Sequence, residues 1–87
     1  MGPPSDSTKG SSRIAVIGAG YVGLTTAVCL AHLGHQVVCG ESDAAKVAQL
    51  SRGEPTILED GLADLLREGL ASKRLRFVLG AAASVAA

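Results

Sequence analysis

Three glycines and one distant glutamate form the pattern in this sequence with the clearest chemical meaning. Gly18, Gly20 and Gly23 form G-x-G-x-x-G within VIGAGYVG, and Glu41 follows the last glycine by 18 residues. Glycines permit a tight turn and a close backbone approach, and the amides that open a following helix attract phosphate. A carboxylate about 20 residues further on can accept the hydroxyls of a ribose. The pattern predicts a dinucleotide site.

This glycine pattern has meaning only between a strand and a helix, with an acid ending the next strand. RIAVIG (13–18) is a short β-branched run, typical of a strand buried on both faces of a parallel sheet. From Tyr21 the apolar residues take helical spacing, and Gly34 predicts the helix end. The stripe is Leu24, Ala27, Val28, Ala31 and Leu33. A second strand, 35–41, ends at the acid, so all three conditions are met. An ordinary βαβ turn without a ligand is the alternative.

Each glycine has its own expected role. Gly18 permits the turn, Gly20 lets the backbone approach a pyrophosphate, and Gly23 lets the helix pack closely on the strand. Glu41 should prefer NAD, because a carboxylate repels the 2′-phosphate of NADP. Ser42 and Lys46 weaken that preference, since both could serve a phosphate. A solvated acid at a strand end is the alternative for the glutamate.

The rest of the chain continues the alternation. SDAAKVAQLSRG (42–53) opens on N-cap candidates and should turn Val47 and Leu50 inward. A loop, 54–61, leads through the cap candidate Asp60 into a third helix. That helix carries the stripe Leu62, Leu65, Leu66 and Leu70.

A third strand, 74–80, and the first turns of another helix, 81–87, complete the order β-α-β-α-α-β-(α). Such alternation predicts an α/β fold: a Rossmann-type parallel sheet with flanking helices and right-handed crossovers. The fold is expected to be incomplete, as the amino-terminal half of an NAD-binding domain. Residues 1–12 are polar and are expected to be a disordered tail, which leaves 13–87 as the partial domain.

Composition limits the possible partners. Hydrophobic residues make up 47% of the chain and aromatic residues 2%, so the core must be aliphatic. Eight basic and eight acidic residues balance, which leaves no basic face for nucleic acid and no polybasic membrane anchor. No apolar stretch approaches the roughly 20 residues that span a bilayer. A cytoplasmic protein is expected.

Other residues that could do chemistry have simpler interpretations. Cys29 and Cys39 lack a C-x-x-C pattern and are expected to be reduced core thiols. His32 and His35 lack a third ligand, so no metal site is expected. The basic cluster 73–76 is expected to be a solvated strand entrance. Two loop acids, Glu59 and Asp60, do not form a catalytic pair: Asp60 is read as a cap, and Glu59 has no assigned use.

Two long segments resemble one known family. IAVIGAGYVGLTTAVCLAHLGHQVVCGESDAAKV is similar to the start of the UDP-glucose/GDP-mannose dehydrogenase family. LSRGEPTILEDGLADLLREGLASKRLRF resembles that family's next segment, where a G-x-x-P-I-Y-E-P-G-L loop leads into a helix and an R-L-R-F-T strand. The resemblance covers residues 13–87. Three departures are Glu41 for the family's usual aspartate, CGESD for CVDID, and Asp60 for the loop proline.

The resemblance implies a cofactor site and an activity. The NAD contacts would fall on Glu41, on Lys46 and on the glycine turn. That turn comprises Gly18, Ala19, Gly20, Tyr21, Val22 and Gly23. Such enzymes oxidise the C6 alcohol of UDP-glucose, or of a related UDP- or GDP-sugar, to the acid in two NAD-dependent steps through a cysteine thioester.

The family's catalytic cysteine, lysine and aspartate would lie beyond residue 87. No catalytic residue is therefore expected in this chain, and the 87 residues alone should not oxidise a sugar. The full-length protein would form a homo-oligomer. Two alternatives stay open: part of another Rossmann dehydrogenase, of hydroxyacyl-CoA or 6-phosphogluconate type, or a nucleotide-binding module without chemistry.

Overall fold

Three strands and three helices make up most of residues 12–80, which are the residues that this computed structural model describes. The elements are β1 (Arg13–Ile17), α1 (Tyr21–His32), β2 (Gln36–Glu41), α2 (Ala44–Ser51), α3 (Leu62–Ala71) and β3 (Leu75–Leu79). Their order is the predicted one. Most of the expected tail and the expected last helix, 81–87, lie outside the described residues.

The three strands form one parallel sheet in the order β1-β2-β3. This confirms the predicted parallel pairing. Ile17 pairs with Gly40, so the turn that follows β1 begins beside the last residues of β2. The sheet register therefore places the glycine turn next to Glu41, although 18 residues separate it from the last glycine.

The hydrophobic core collects on one face of the sheet. Alternate residues of β2 and β3 are buried there, among them Val37, Cys39 and Phe77. Helix α1 packs against β2 and α3, while α2 packs mainly against β3. The expectation that β1 is buried on both faces is wrong for the described part of the chain. Ala15 and Ile17 point away from the core and are exposed, because no element of residues 12–80 covers that face.

Helix α1 buries most of its predicted stripe and ends where glycine was expected. Gly34 has φ +104° and donates to the carbonyl of Ala31 at 3.0 Å, which closes the last turn. Two predictions fail on this helix. Leu33 is 69% exposed because it is the C-cap, beyond the helical stripe. Cys29 is an exposed thiol on the outer face and not a core residue.

The two shorter helices begin differently. The Asp43 side chain accepts hydrogen bonds from the amides of Ala45 and Lys46, which confirms an N-cap at the start of α2. Asp60 does not cap α3. The N-cap is Gly61, in a left-handed conformation with φ 80° and no side-chain hydrogen bond, so the prediction placed the cap one residue early.

Candidate cofactor-binding site

The glycine turn between β1 and α1 is held by backbone geometry. Gly18 has φ +87°, a region that favours glycine, and its amide donates to the carbonyl of Gly40 at 2.6 Å. A Cβ on Gly23 would overlap the carbonyl oxygen of Gly18. The first and third glycines are therefore required by the protein itself, one for the turn and one for the close approach of helix and strand.

Gly20 differs from both. Its φ of −72° suits any residue, and an added Cβ would meet no protein atom within 4 Å. Neither conformation nor packing within the described residues calls for glycine at this position. The space beside this backbone is open, which is what a ligand that approaches the main chain needs.

Free amides lie beside that open space. The first amide of α1 with a helical partner is that of Leu24, which donates to the carbonyl of Gly20 at 2.8 Å. The amides of Tyr21, Val22 and Gly23 precede it and have no carbonyl one turn back. The Gly20 N-cap supplies no side-chain acceptor, and the first turn contains no acidic residue. The positive end of this helix is therefore available to an anion.

Glu41 joins the glycine turn to the loop after β2. Only 7% of its surface is exposed. The amide of Ala19 donates to Oε1 at 2.9 Å, and the amide of Asp43 donates to Oε2 at 2.9 Å. Each carboxylate oxygen can accept a second hydrogen bond. The arrangement holds the carboxylate rigidly and leaves acceptor capacity for a ligand.

The same contacts keep Glu41 ionised. The amide of Ala19, followed by that of Asp43, holds the pKa of this carboxyl below its ordinary value of 4.5. Burial acts in the opposite direction, and the nearby Lys46 cation adds to the lowering of the pKa. At neutral pH the site therefore presents a negative charge, which suits a ribose diol and disfavours a phosphate.

The other predicted site residues surround this centre. Lys46 lies in the first turn of α2 and is half-buried, near enough to Glu41 to act on its charge. Tyr21 and Val22 open α1 and are 54% and 73% exposed. Ala19 is buried and contributes its amide. The structure thus brings together the glycine turn, the acid and the lysine.

Two contacts of the site were missed by sequence reasoning. The Tyr21 hydroxyl lies 3.4 Å from Oε2 of Glu59, a long contact that relates the glycine turn to the loop before α3. The amide of Asp43 orients Glu41, whereas the sequence pattern indicated only a candidate N-cap at the start of segment 42–53. Contacts across 38 residues or through backbone amides leave no signal in residue spacing.

The remaining candidates lie outside this group of residues, except that the Cys39 thiol donates a hydrogen bond to the carbonyl of Gly18 at 3.7 Å. Cys39 is buried, and burial, followed by the charge of Glu41, raises the pKa of its thiol to about 11. Nδ1 of His32, on α1, lies 3.0 Å from Oε2 of Glu68, on α3. Nδ1 of His35 accepts a hydrogen bond from the amide of Ser12. Within residues 12–80 no three potential ligands gather as a metal site. No helix of the same stretch is long and apolar enough to cross a membrane.

A parallel sheet, a glycine turn that opens a helix and an acid that ends the second strand define a dinucleotide-binding domain of Rossmann type. The chain belongs to the UDP-glucose/GDP-mannose dehydrogenase family, since residues 12–87 match the NAD-binding domain of that family. NAD is accordingly the cofactor of the domain, and the open backbone at Gly20, the free amides and the acid fit it.

Individual relatives agree with this assignment. A UDP-glucose 6-dehydrogenase of Pseudomonas aeruginosa is 51% identical over 74 residues, 85% of this chain and 16% of that protein. A GDP-mannose 6-dehydrogenase of Azotobacter vinelandii is 45% identical over 64 residues, 74% of this chain and 15% of that protein. The solved UDP-glucose dehydrogenase of Pyrobaculum islandicum superposes with a TM-score of 0.81 at 39% identity, over 97% of this chain and 19% of that one. The chain thus spans less than a fifth of each relative.

Proposed function

We propose that this chain supplies the NAD-binding segment of an enzyme that oxidises the C6 alcohol of a nucleotide sugar to the acid. Glu41 would accept hydrogen bonds from the hydroxyls of the adenosine ribose, and Lys46 would reach the same ribose. The pyrophosphate would lie against the turn Gly18–Gly23. When bound, NAD supplies the hydride acceptor, whereas the residues of this chain bind and orient it. The proposal places no catalytic residue in residues 1–87.

The contrast between Gly20 and Gly23 carries the proposal. At Gly23 an added Cβ would strike the backbone, so packing alone explains the glycine. At Gly20 nothing in the described protein meets an added Cβ, and the backbone conformation suits any residue. A ligand that lies against the main chain is the physical reason for glycine there, and the free amides of α1 make that ligand an anion.

UDP-glucose is the proposed sugar nucleotide. Identity is 51% with the Pseudomonas aeruginosa UDP-glucose enzyme and 45% with the Azotobacter vinelandii GDP-mannose enzyme. We also infer a cytoplasmic homo-oligomer for the full-length protein, as the family resemblance implies. An NAD-dependent assay of the full-length protein with UDP-glucose and GDP-mannose as rival substrates tests the choice of sugar. Faster NADH formation with GDP-mannose would reverse it.

Substitution of Gly20 tests the cofactor site. Gly20→Ala should change the free energy of unfolding by about 0.5 kcal/mol, a modest effect at an N-cap. It should weaken NAD binding about tenfold or more, because the methyl group occupies the space of the pyrophosphate. Calorimetric titration with NAD and urea denaturation measure the two effects. Unchanged NAD affinity in Gly20→Ala of the full-length protein, or no NAD binding by the full-length parent, would overturn the proposed site.

A further inference from the structure

Asp43 connects the two charged groups of the proposed ribose site. Its backbone amide donates to Oε2 of Glu41 at 2.9 Å. Its side-chain Oδ1 accepts hydrogen bonds from the amides of Ala45 at 2.9 Å and Lys46 at 3.4 Å. These two bonds cap the start of α2. One residue thus fixes both the loop that orients the carboxylate and the helical turn that carries the lysine.

Three backbone amides act on the carboxylate: those of Ala19 and Asp43 donate the two short hydrogen bonds, and that of Ser42 makes the smallest contribution to lowering its pKa. On the glycine-turn side Glu41 has the amide of Ala19, held by the turn itself. On the other side the amide of Asp43 provides the opposing contact. With one amide on each oxygen, the carboxylate is fixed between two points, and its remaining lone pairs take defined directions. A shift of the Asp43 amide would release one of these points.

We propose that Asp43 is a positioning residue for recognition of the adenosine ribose, acting through Glu41 and Lys46. The inference rests on the proposed function of that pair. Its physical basis is the cap: without an acceptor at Oδ1, the first amides of α2 lose their partner and the first turn frays. Fraying displaces the amide at position 43 and the lysine together. Ribose recognition and the preference for NAD over NADP then decline together.

Four variants separate positioning from charge and from general stability. Asp43→Asn removes the charge and keeps the cap oxygen, whereas Asp43→Ala removes both. Asp64→Ala is the same change in the first turn of α3, away from the site. Gly69→Ala is a stability control, because its new Cβ would approach Cβ of Leu75 to 2.9 Å, far from the glycine turn.

Calorimetric titration of the full-length protein with NAD and with NADP gives the first readout, the affinity for each cofactor. Asp43→Ala should weaken NAD binding about fivefold and should lower the ratio of NAD affinity to NADP affinity. Asp43→Asn, Asp64→Ala and Gly69→Ala should leave that ratio within about twofold of the parent. An unchanged ratio in Asp43→Ala, or an equal change in Gly69→Ala, would overturn the positioning role.

A ligand-free readout is the pH titration of the Glu41 carboxyl carbon by nuclear magnetic resonance. The pKa of Glu41 should be higher in Asp43→Ala than in Asp43→Asn, since both lack the charge and only the second keeps the cap. Equal pKa values in the two variants would overturn the inference. The proposed function fails separately, if Glu41→Ala leaves the ratio of NAD to NADP affinity unchanged.

Discussion

Replacement of Glu41 by glutamine should destabilise the fold at neutral pH even without cofactor. The carboxylate is nearly buried and accepts a hydrogen bond of 2.9 Å from each of two backbone amides. Glutamine offers one acceptor oxygen, so its amino group must face the second donor. A hydrogen bond to a charged group contributes about 1.5–3 kcal/mol. We therefore expect Glu41→Gln to lower the free energy of unfolding by about 2–3 kcal/mol at pH 7.

The effect should depend on pH with a definite sign. The pKa of the Glu41 carboxyl is lower in the folded chain than its ordinary value of 4.5. The stability that this ionised group contributes is thus fully present above pH 4.5 and is lost as the pH falls through the folded-state pKa. Below that point the parent protein also carries a neutral side chain at this position. The difference between parent and variant should then shrink.

Urea denaturation followed by circular dichroism, repeated from pH 7 down to about pH 3, measures the difference. Glu59→Gln is the matched control, because among residues 12–80 the one hydrogen bond of this exposed carboxylate is the 3.4 Å contact with Tyr21. It should change stability by less than about 0.5 kcal/mol at any pH. A Glu41→Gln effect that stays constant across this range would show that the ionised carboxylate does not hold the turn.

Two further predictions concern packing and burial. Gly23→Ala should lower the free energy of unfolding by about 3 kcal/mol or more, since its methyl group meets the backbone carbonyl of Gly18, which cannot rotate away. Urea denaturation measures this loss of stability. A loss below about 1 kcal/mol would contradict the close packing. Of the two thiols, exposed Cys29 should react readily with a disulfide reagent in the native chain, whereas buried Cys39, with its pKa raised to about 11, should react only after unfolding. Equal native rates, followed by absorbance, would contradict that assignment.

The element order, the parallel class of the sheet and the residues of the glycine turn were all predictable from the sequence alone. These features follow from local patterns. A β-branched run, a helical stripe and a glycine at a helix end each act within a few residues of chain. Glu41 was predicted at the end of β2 for the same reason, because a strand end is visible in the pattern.

The contacts between distant groups became visible only in the folded structure. The exposure of Cys29, Ala15 and Ile17 depends on which faces other elements cover, and residue spacing does not contain that information. The hydrogen bonds of Glu41 depend on the sheet register, which places β2 beside the glycine turn. Backbone amides are present at every residue but proline, so no residue type marks the ones that will bind a carboxylate. Their directions are fixed only when strands and helices pack, because packing sets the backbone of the turn.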